Sequence, residues 1–242
     1  MERSLLRHCL GMIESVSSVD ELQSVITHTR DCYRLSHLVF HVVRLGASRI
    51  DHPLILPTYT VDWITHYFDE NFFALDPVLE VSRIGFLPVD WSSLDHVSST
   101  TSRFFRQADS YGVGRFGVTI PIRGPRGERS LLTATSNLRE NQWTNLRADC
   151  MIDLQILSYH LHEKALTVSG LRTKTMMRDL SRRELQCIDL VAQGRLPKQI
   201  AAQLQISEST VRLHLRSAKR KLGGATTTQA IGRAVALELI RG

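Results

Sequence analysis

The sequence lacks the residue patterns of several common protein classes. Its 4 cysteines among 242 residues stand far apart, without the close spacing of a zinc or redox site. We expect them to be reduced, buried side chains; they are Cys9, Cys32, Cys150 and Cys187. The 10 histidines show no ligand spacing either, and His160 and His162 do not share a helical face. The sequence therefore predicts no metal and no cofactor.

Long hydrophobic runs are missing as well. Charged residues such as Arg3, Arg7 and Glu14 interrupt the beginning of the chain, and no stretch approaches an export signal or a membrane span in length. We therefore expect a cytoplasmic protein with no membrane partner. The glycine-containing stretch 123–127 lacks a phosphate-binding signature, and no Ser–His–Asp or Cys–His arrangement is evident, so an enzyme is not expected.

Positive charge is concentrated in the last quarter of the chain. Residues 178–242 hold 12 Lys and Arg against 5 Asp and Glu, a net charge of +7. The whole chain is +6, from 30 basic and 24 acidic residues, so residues 1–177 carry 18 against 19, a net charge of −1. A domain that neutralises nucleic-acid phosphates needs charge concentrated in this way.

The same region shows three short helical segments. Residues 183–193 carry apolar side chains at helical spacing and end before Gly194, a residue that suits the position after a helix. Pro197 suits the first turn of the next helix, because its missing amide hydrogen would be unpaired there. Residues 205–207 predict a tight turn into the third helix, with Ser207 as its N-cap. This is the layout of a helix-turn-helix DNA reader.

The third helix has one apolar face and one basic face. Its apolar residues recur at helical period; they are Val211, Leu215, Ala218 and Leu222. At about 100° per residue, the opposite side presents Ser209, Arg212, Leu213, Arg216 and Arg220. We expect the first face to pack and the second to meet DNA. The alternative is a solvated basic helix on an ordinary helical bundle.

Residues 180–222 resemble the DNA-binding domain of LuxR-type transcription factors. The matching positions are Glu184, Ile188, Gly194, Ile200, Ala201, Leu204, Ile206, Ser207, Thr210, Val211, His214, Lys221 and Leu222. The pair Ser217-Ala218 departs from the Asn-Ile that is frequent in the family, so local packing or one backbone contact is expected to differ.

The N-terminal part of the chain indicates which type of sensor domain is joined to this DNA-binding domain. Residues 1–125 show no adjacent acidic pair after an early apolar strand, which disfavours a phosphoacceptor receiver. Instead, Tyr59, Trp63 and Tyr67 recur at spacing four and predict one face of an aromatic helix. Asp76-Pro77 is expected to end that helix, because the residue before proline avoids helical geometry.

A hairpin follows the aromatic segment. Residues 116–122 and 130–136 predict its two strands, and 124–127 its turn. Spacing alone favours aromatic residues that pack in the hydrophobic core. It also favours Asp76 as a residue of a turn.

A second resemblance changes that interpretation. Residues 20–165 resemble the autoinducer-binding domain of quorum-sensing LuxR-type receptors. The residues that carry this resemblance are Tyr59, Trp63, Tyr67, Asp76-Pro77, Trp91 and Gly117 before Ile120-Pro121, with Thr133 where the family has Ser or Thr. It implies an α+β protein, with an N-terminal α/β/α sandwich built on an antiparallel sheet and a C-terminal all-α helix-turn-helix domain.

The ligand that the resemblance implies is an N-acyl-homoserine lactone. The Trp63 indole N–H would donate to the lactone carbonyl, and the Asp76 carboxylate would accept from the amide N–H. Tyr59 would donate to the acyl carbonyl, helped by Thr133 directly or through water. Tyr67 and Trp91 would supply walls around the ring and chain.

DNA contacts are assigned along the reading motif. Arg212 and Arg216 are expected at base edges, because arginine can bond guanine in two places, and Leu213 at a thymine methyl. Phosphate contacts are expected from five further residues; they are Lys198, Gln199, Thr210, Lys219 and Arg220.

The expected organisation is two domains with a linker. Residues 1–166 form the autoinducer-binding domain, 167–177 the linker, and 178–242 the DNA-binding domain. Amphipathic residues 150–166 are expected to form the last sensor helix, and a tail helix starts at Thr228. Either helix could meet a second copy, or each could simply close its own domain.

The sequence thus predicts a quorum-sensing regulator that binds an acyl-homoserine lactone and, as a homodimer, an inverted-repeat site on double-stranded DNA. RNA polymerase is a further expected partner, and both activation and repression are compatible with the sequence. One alternative is a solo regulator that responds to a different small molecule. The other is a ligand-processing enzyme with a DNA-binding domain.

Overall fold

The computed structural model describes residues 2–45, 51–94, 99–125, 127–171, 180–237 and 239–240. Contacts divide this part of the chain into two compact units. The larger unit contains the described residues up to Leu171, apart from the hairpin turn, and the smaller one begins at Leu180. Residues 172–177 of the predicted linker 167–177 lie outside the described residues. The first two residues of that predicted linker belong to a helix.

The larger unit is built on an antiparallel sheet. Its described strands are β1 (His37–Arg44), β2 (Asp51–Leu56), β3 (Val89–Asp90), β4 (Phe116–Arg123) and β5 (Arg129–Ser136). They lie in the order β2-β1-β5-β4-β3, with every neighbouring pair antiparallel. The predicted hairpin is therefore confirmed, as β4 and β5, and with it the antiparallel sheet.

Helices cover both faces of this sheet. Those of the larger unit are α1 (Glu2–Ser15), α2 (Val19–Cys32), α3 (Val61–Asp69), α4 (Pro77–Ile84), α5 (Ser99–Ser110) and α6 (Glu140–Val168). Side chains alternate across a strand, so Leu38, Phe40 and Val42 of β1 face the main core with α1, α2 and α6. The opposite face meets a second, aromatic cluster from α3, α4 and α5. The predicted α/β/α sandwich is confirmed.

The aromatic segment folds differently from the prediction. Helix α3 begins at Val61, capped by the Thr60 hydroxyl, so Tyr59 lies before the helix. The helix ends at Asp69, and the prediction that Asp76-Pro77 ends it was wrong, because Asp76 is the N-cap of α4. The physical reason is that an aspartate accepts an unpaired amide of a first turn and proline at N1 removes another.

The last sensor helix is longer than its apolar pattern. Helix α6 begins at Glu140, 10 residues before the predicted start, and runs for 29 residues. Most residues of its first turns are exposed, so they show no apolar period. Leu154, Leu157 and Leu161 lie on the buried face, while Ile152 and Ile156 are exposed.

The smaller unit is helical, as predicted. Its described helices are α7 (Arg182–Ala192), α8 (Pro197–Leu204), α9 (Glu208–Lys221) and α10 (Thr227–Ala236). The predicted turn residues occupy their places: Gly194 has φ +81, Pro197 begins α8, and the Ser207 hydroxyl caps α9 by accepting from the Thr210 amide at 3.1 Å.

Candidate ligand pocket and DNA interface

A cavity of about 250 Å³ lies within the larger unit, on the side of the sheet opposite the main core. Strand residues Val39, Leu131 and Ile55 form part of its wall. The structure brings all six predicted pocket residues to this cavity; they are Tyr59, Trp63, Tyr67, Asp76, Trp91 and Thr133. Most of the lining is apolar, as in small-molecule sites generally.

Asp76 brings a carboxyl group to this apolar cavity. Its Oδ1 accepts from the Val78 amide and its Oδ2 from the Tyr67 hydroxyl, both at 2.8 Å. Burial of the carboxyl raises its pKa to about 6, although the two hydrogen bonds act in the opposite direction. The group therefore ionises close to neutral pH and keeps lone pairs for a further donor.

Two hydrogen-bond donors line the cavity without protein partners. Within the described part of the chain, neither the Tyr59 hydroxyl nor the Trp63 indole N–H makes a hydrogen bond. Trp63 is only 2% exposed, and burial, followed by the charge of Asp76, raises the pKa of Tyr59. Tyr59 therefore stays a protonated donor at neutral pH. Two donors and one acceptor thus converge on one apolar space.

Trp91 and Thr133 belong to a connected polar group. The Trp91 indole N–H donates to the Thr119 hydroxyl at 3.0 Å, and the Thr119 and Thr133 hydroxyls are 3.1 Å apart. Trp91 therefore presents a ring rather than a free donor. That ring lies against Gly117, where a Cβ would come within 2.4 Å of it. Glycine is needed here for close approach.

Sequence reasoning missed one polar residue of the cavity. His41 lines it from β1, and its Nε2 lies 2.9 Å from Nδ1 of His52. Burial, followed by the proximity of His52, lowers the pKa of His41 to about 3. Alternation along β1 was the available signal, but it did not tell which face of the strand lines the cavity.

The predicted DNA-contact residues lie on α8 and α9. Arg212, Arg216 and Arg220 are exposed on α9, and Leu213 is 62% exposed beside them. Val211 and Ala218 are buried on the other face. The predicted division of the helix into packed and exposed faces is what the structure shows.

Several of these side chains also have local partners. Arg212 contacts Glu208 at 2.6 Å within the same helix. The Gln199 carbonyl accepts from the Leu196 amide at 2.9 Å, at the start of α8. Lys198 is exposed in that first turn, Thr210 is bonded to the Ser207 hydroxyl at 2.7 Å, and Lys219 is half-buried.

A charged contact holds the scaffold of this interface. Glu184 of α7 accepts from Lys221 of α9 at 2.7 Å. Burial would raise the pKa of Glu184, but hydrogen bonds from Lys221, Ser217 and Ser181 lower it to about 2. Ser217, one residue of the departure from the family pattern, thus has a polar partner. Its neighbour Ala218 is fully buried.

A largely apolar cavity with convergent polar groups in one unit, and a basic helix-turn-helix in the other, define a DNA-binding regulator with a small-molecule sensor. Residues 18–165 match the autoinducer binding domain. Residues 178–234 match the luxR family of bacterial regulatory proteins.

Known proteins are similar along much of the chain. The transcriptional activator protein RaiR of Rhizobium etli is 48% identical over 187 residues, 77% of each chain. The transcriptional activator protein VanR of Vibrio anguillarum is 27% identical over 92% of each chain. The chain therefore belongs to the LuxR family of bacterial transcription regulators.

Solved structures share the fold. SdiA of Escherichia coli superimposes with a TM-score of 0.75 at 21% identity, over 99% of each chain. A complex of SdiA with octanoyl-rac-glycerol gives the same TM-score at 20% identity, over 99% of this chain and 97% of that one. In the part of the chain that the structure describes, no helix combines the length and apolarity needed to cross a membrane.

Proposed function

We propose that this chain binds an N-acyl-homoserine lactone and, in response, activates transcription from an inverted-repeat DNA site as a homodimer. The observation that carries the proposal is the set of polar groups in the cavity. The Trp63 N–H, the Tyr59 O–H and the Asp76 carboxylate supply two donors and one acceptor to one apolar space. Such a lactone offers two carbonyls, one amide N–H and an apolar tail.

Each polar group of this ligand then has a partner. The Trp63 indole takes the lactone carbonyl, Asp76 takes the amide N–H, and Tyr59 takes the acyl carbonyl with Thr133 nearby. A buried polar group left unpaired costs about 1–3 kcal/mol, so the match favours this head group over an apolar one. Tyr67 orients Asp76 through its 2.8 Å hydrogen bond, and Trp91 supplies an aromatic wall.

Helices α8 and α9 supply the DNA contacts of the proposed regulator. Arg212 and Arg216 read base edges with Leu213, while the phosphate contacts come from the remaining predicted residues, Lys198, Gln199, Thr210, Lys219 and Arg220. Activation is inferred from the similarity to RaiR and VanR, which are transcriptional activator proteins, and it makes RNA polymerase a further partner. A bacterial protein that acts on chromosomal DNA works in the cytoplasm.

The proposal is tested by ligand recovery and by thermal unfolding. We expect protein expressed beside its own lactone synthase to retain an acyl-homoserine lactone, detected intact by mass spectrometry. Addition of that lactone at a hundredfold excess over its dissociation constant should stabilise the protein by about 2.7 kcal/mol. Trp63→Phe, which keeps an aromatic ring but removes the indole N–H together with the pyrrole part of the side chain, should weaken binding roughly tenfold or more. No thermal shift with any acyl-homoserine lactone would contradict the proposal.

A second candidate is a solo regulator that answers a different small molecule. The observation that favours it is the cavity itself, since two donors and an acceptor beside apolar walls also suit other acylated molecules. SdiA, whose fold is similar, has been solved with octanoyl-rac-glycerol. An acylglycerol that shifts the melting temperature where no lactone does would support this candidate.

Enzyme function is not supported by the relatives, which are transcription regulators. Ser130 and His162 do lie in hydrogen-bond contact, at 2.9 Å, but both are buried and neither lines the cavity. They therefore have no access to a ligand there.

A further inference from the structure

His41 is the polar side chain of the cavity that the lactone head group leaves unassigned, among the lining residues that the structure describes. It is 7% exposed. Its Nε2 contacts His52, whereas its Nδ1 has no hydrogen-bond partner in the described residues. This nitrogen can therefore pair with a polar group of a ligand in the cavity, and a ligand that carries such a group would be recognised.

The strand register separates His41 from Thr133, the residue assigned near the acyl carbonyl. Thr133 pairs with Val39, and Leu131 pairs with His41. His41 therefore lies two strand residues, about 7 Å, beyond the Thr133 position along the same face. Its other cross-strand neighbour is Ile55. Both neighbours are apolar, as the wall of an acyl channel should be.

The His41 ring is held in place from its far side. His52 contacts it at 2.9 Å from a left-handed backbone conformation, φ 51, beside an irregularity in the β1–β2 pairing. Irregularities of this kind re-aim side chains. The Phe73 ring lies 4.4 Å from the His52 ring, centroid to centroid. The low pKa of His41 keeps its imidazole neutral at pH 7.

A neutral imidazole has one donor and one acceptor nitrogen. If His41 Nε2 donates to His52, Nδ1 can only accept, and if Nε2 accepts, Nδ1 donates. A hydroxyl group pairs with Nδ1 in either case, because it can donate as well as accept. A hydrocarbon chain cannot pair with Nδ1 in either tautomer. A keto oxygen can only accept, so it pairs with Nδ1 only in the tautomer in which Nδ1 donates.

We propose that His41 selects acyl-homoserine lactones whose acyl chain carries a hydroxyl group beyond its first carbons. The inference rests on the proposed function, since it assumes a lactone whose acyl carbonyl lies near Tyr59 and Thr133 and whose tail extends toward His41. The hydroxyl hydrogen-bonds Nδ1 of His41, while Leu131 and Ile55 pack on the neighbouring methylenes.

The test compares ligands that differ only in the hydroxyl. Unsubstituted N-acyl-homoserine lactone and its isomers hydroxylated at successive carbons, all of one chain length, are titrated calorimetrically into the full-length protein and into His41→Leu. We expect the wild type to bind one hydroxylated isomer about tenfold more tightly than the unsubstituted lactone. His41→Leu should lose that preference and bind the unsubstituted lactone at least as well as the wild type does.

Two further variants separate recognition from general damage to the pocket. Ile55→Val trims the opposite strand without changing polarity, so it should weaken both ligands by the same factor and keep their ratio. His41→Gln keeps a hydrogen-bonding group at the same position and should retain part of the preference, even where His41→Leu does not fold.

The outcomes distinguish the two levels of the proposal. Equal ratios of hydroxylated to unsubstituted affinity in the wild type and in His41→Leu would overturn the role of His41 while leaving lactone binding intact. If the wild type binds lactones but shows no preference for a hydroxylated isomer, the role of His41 is likewise overturned and lactone binding stands. A wild type that binds none of these lactones would overturn the proposed function and this inference together.

Discussion

Asp76 has two roles that make opposite demands on its side chain. As the N-cap of α4 it accepts the Val78 amide, which favours the carboxylate. As a lining residue of an apolar cavity it is cut off from water, which favours the neutral acid and raises its pKa to about 6. A ligand amide that donates to this group would offset part of the cost of burying its charge.

The raised pKa of Asp76 predicts a pH-dependent stability of the ligand-free sensor. The folded pKa of about 6 lies above the ordinary value of 3.8. The stabilisation by the protonated form is therefore complete below pH 3.8 and is lost as pH rises through 6. It amounts to about 3 kcal/mol. Asp76→Asn, which still caps a helix but cannot ionise, should not show this loss.

Urea unfolding between pH 4 and 7.5, followed by tryptophan fluorescence, checks this prediction. The 3 tryptophans, Trp63, Trp91 and Trp143, all belong to the larger unit, so their signal reports on that unit. Asp109→Asn, at an exposed carboxylate, serves as the matched control and should run parallel to the wild type. Parallel curves for Asp76→Asn and the wild type would show that the Asp76 carboxyl ionises normally.

Individual residues of the site differed in how far their roles were predictable. The six pocket residues were identified because their types and spacing resemble a known family, and the structure brings them to one cavity. His41 could not be identified, because its function depends on a contact with His52 across a strand pair. Tyr59 was assigned to a helix that begins only after it.

At the scale of elements, helix α9 could be predicted from local sequence features, and the structure shows that its apolar face is packed. Its N-cap and period were readable from sequence, and its buried residues contact α7 and α8 as such a period requires. Arg216 is fully presented on the other face, whereas Lys219 lies toward the edge of the packed face. This difference in position leads to different expectations for the two side chains.

Arg216→Ala and Lys219→Ala should affect DNA binding in different ways. Loss of a base-edge arginine should cost about 1–3 kcal/mol on the specific site and little on random DNA. Loss of a phosphate-contacting lysine should weaken binding to the specific site and to random DNA alike. It should also reduce the slope of log affinity against log salt by about 1. Fluorescence anisotropy with operator and scrambled duplexes, over a salt series, measures both effects.

Arg233→Ala is the control for nonspecific loss of charge. Its side chain bonds the Leu222 carbonyl at 2.8 Å, away from the exposed face of α9. It should change the affinity for the two duplexes by the same small factor. Equal losses on specific and scrambled DNA for both Arg216→Ala and Lys219→Ala would remove the distinction between base and phosphate contacts.

At the scale of the whole molecule, an apolar stripe on α6 has no cover in the described chain. Ile152 is 69% exposed and Tyr159 is 52% exposed, with Ile156 between them at 38%. The positions are three and four residues apart, so they lie on one helical face. A second copy of the chain is the partner that the proposed inverted-repeat DNA site would require, because the two halves of such a site are related by a two-fold axis.

Ile152→Asp should therefore weaken the proposed homodimer. A charge placed in an apolar interface is expected to raise the dimer dissociation constant roughly tenfold or more. Sedimentation velocity over a concentration series, with lactone present, measures this. Thr144→Asp adds the same charge to an exposed position of α6 outside the stripe and should leave dissociation unchanged. An unaltered dimer in Ile152→Asp would exclude this face as the interface.

The sequence by itself determined the features that depend on neighbours along the chain. The helix cap at Ser207, the turn at Gly194, the apolar face of α9 and the local excess of positive charge all arise within a few residues, so their patterns were readable directly. Family resemblance added six residues that line the cavity.

Only the tertiary structure decided which strand faces enclose the cavity and which distant side chains meet there. A shift of one residue in strand register moves every side chain to the other face, and register depends on pairing between segments far apart in sequence. The contact of His41 with His52 and the hydrogen bond of Trp91 to Thr119 both depend on such strand pairing.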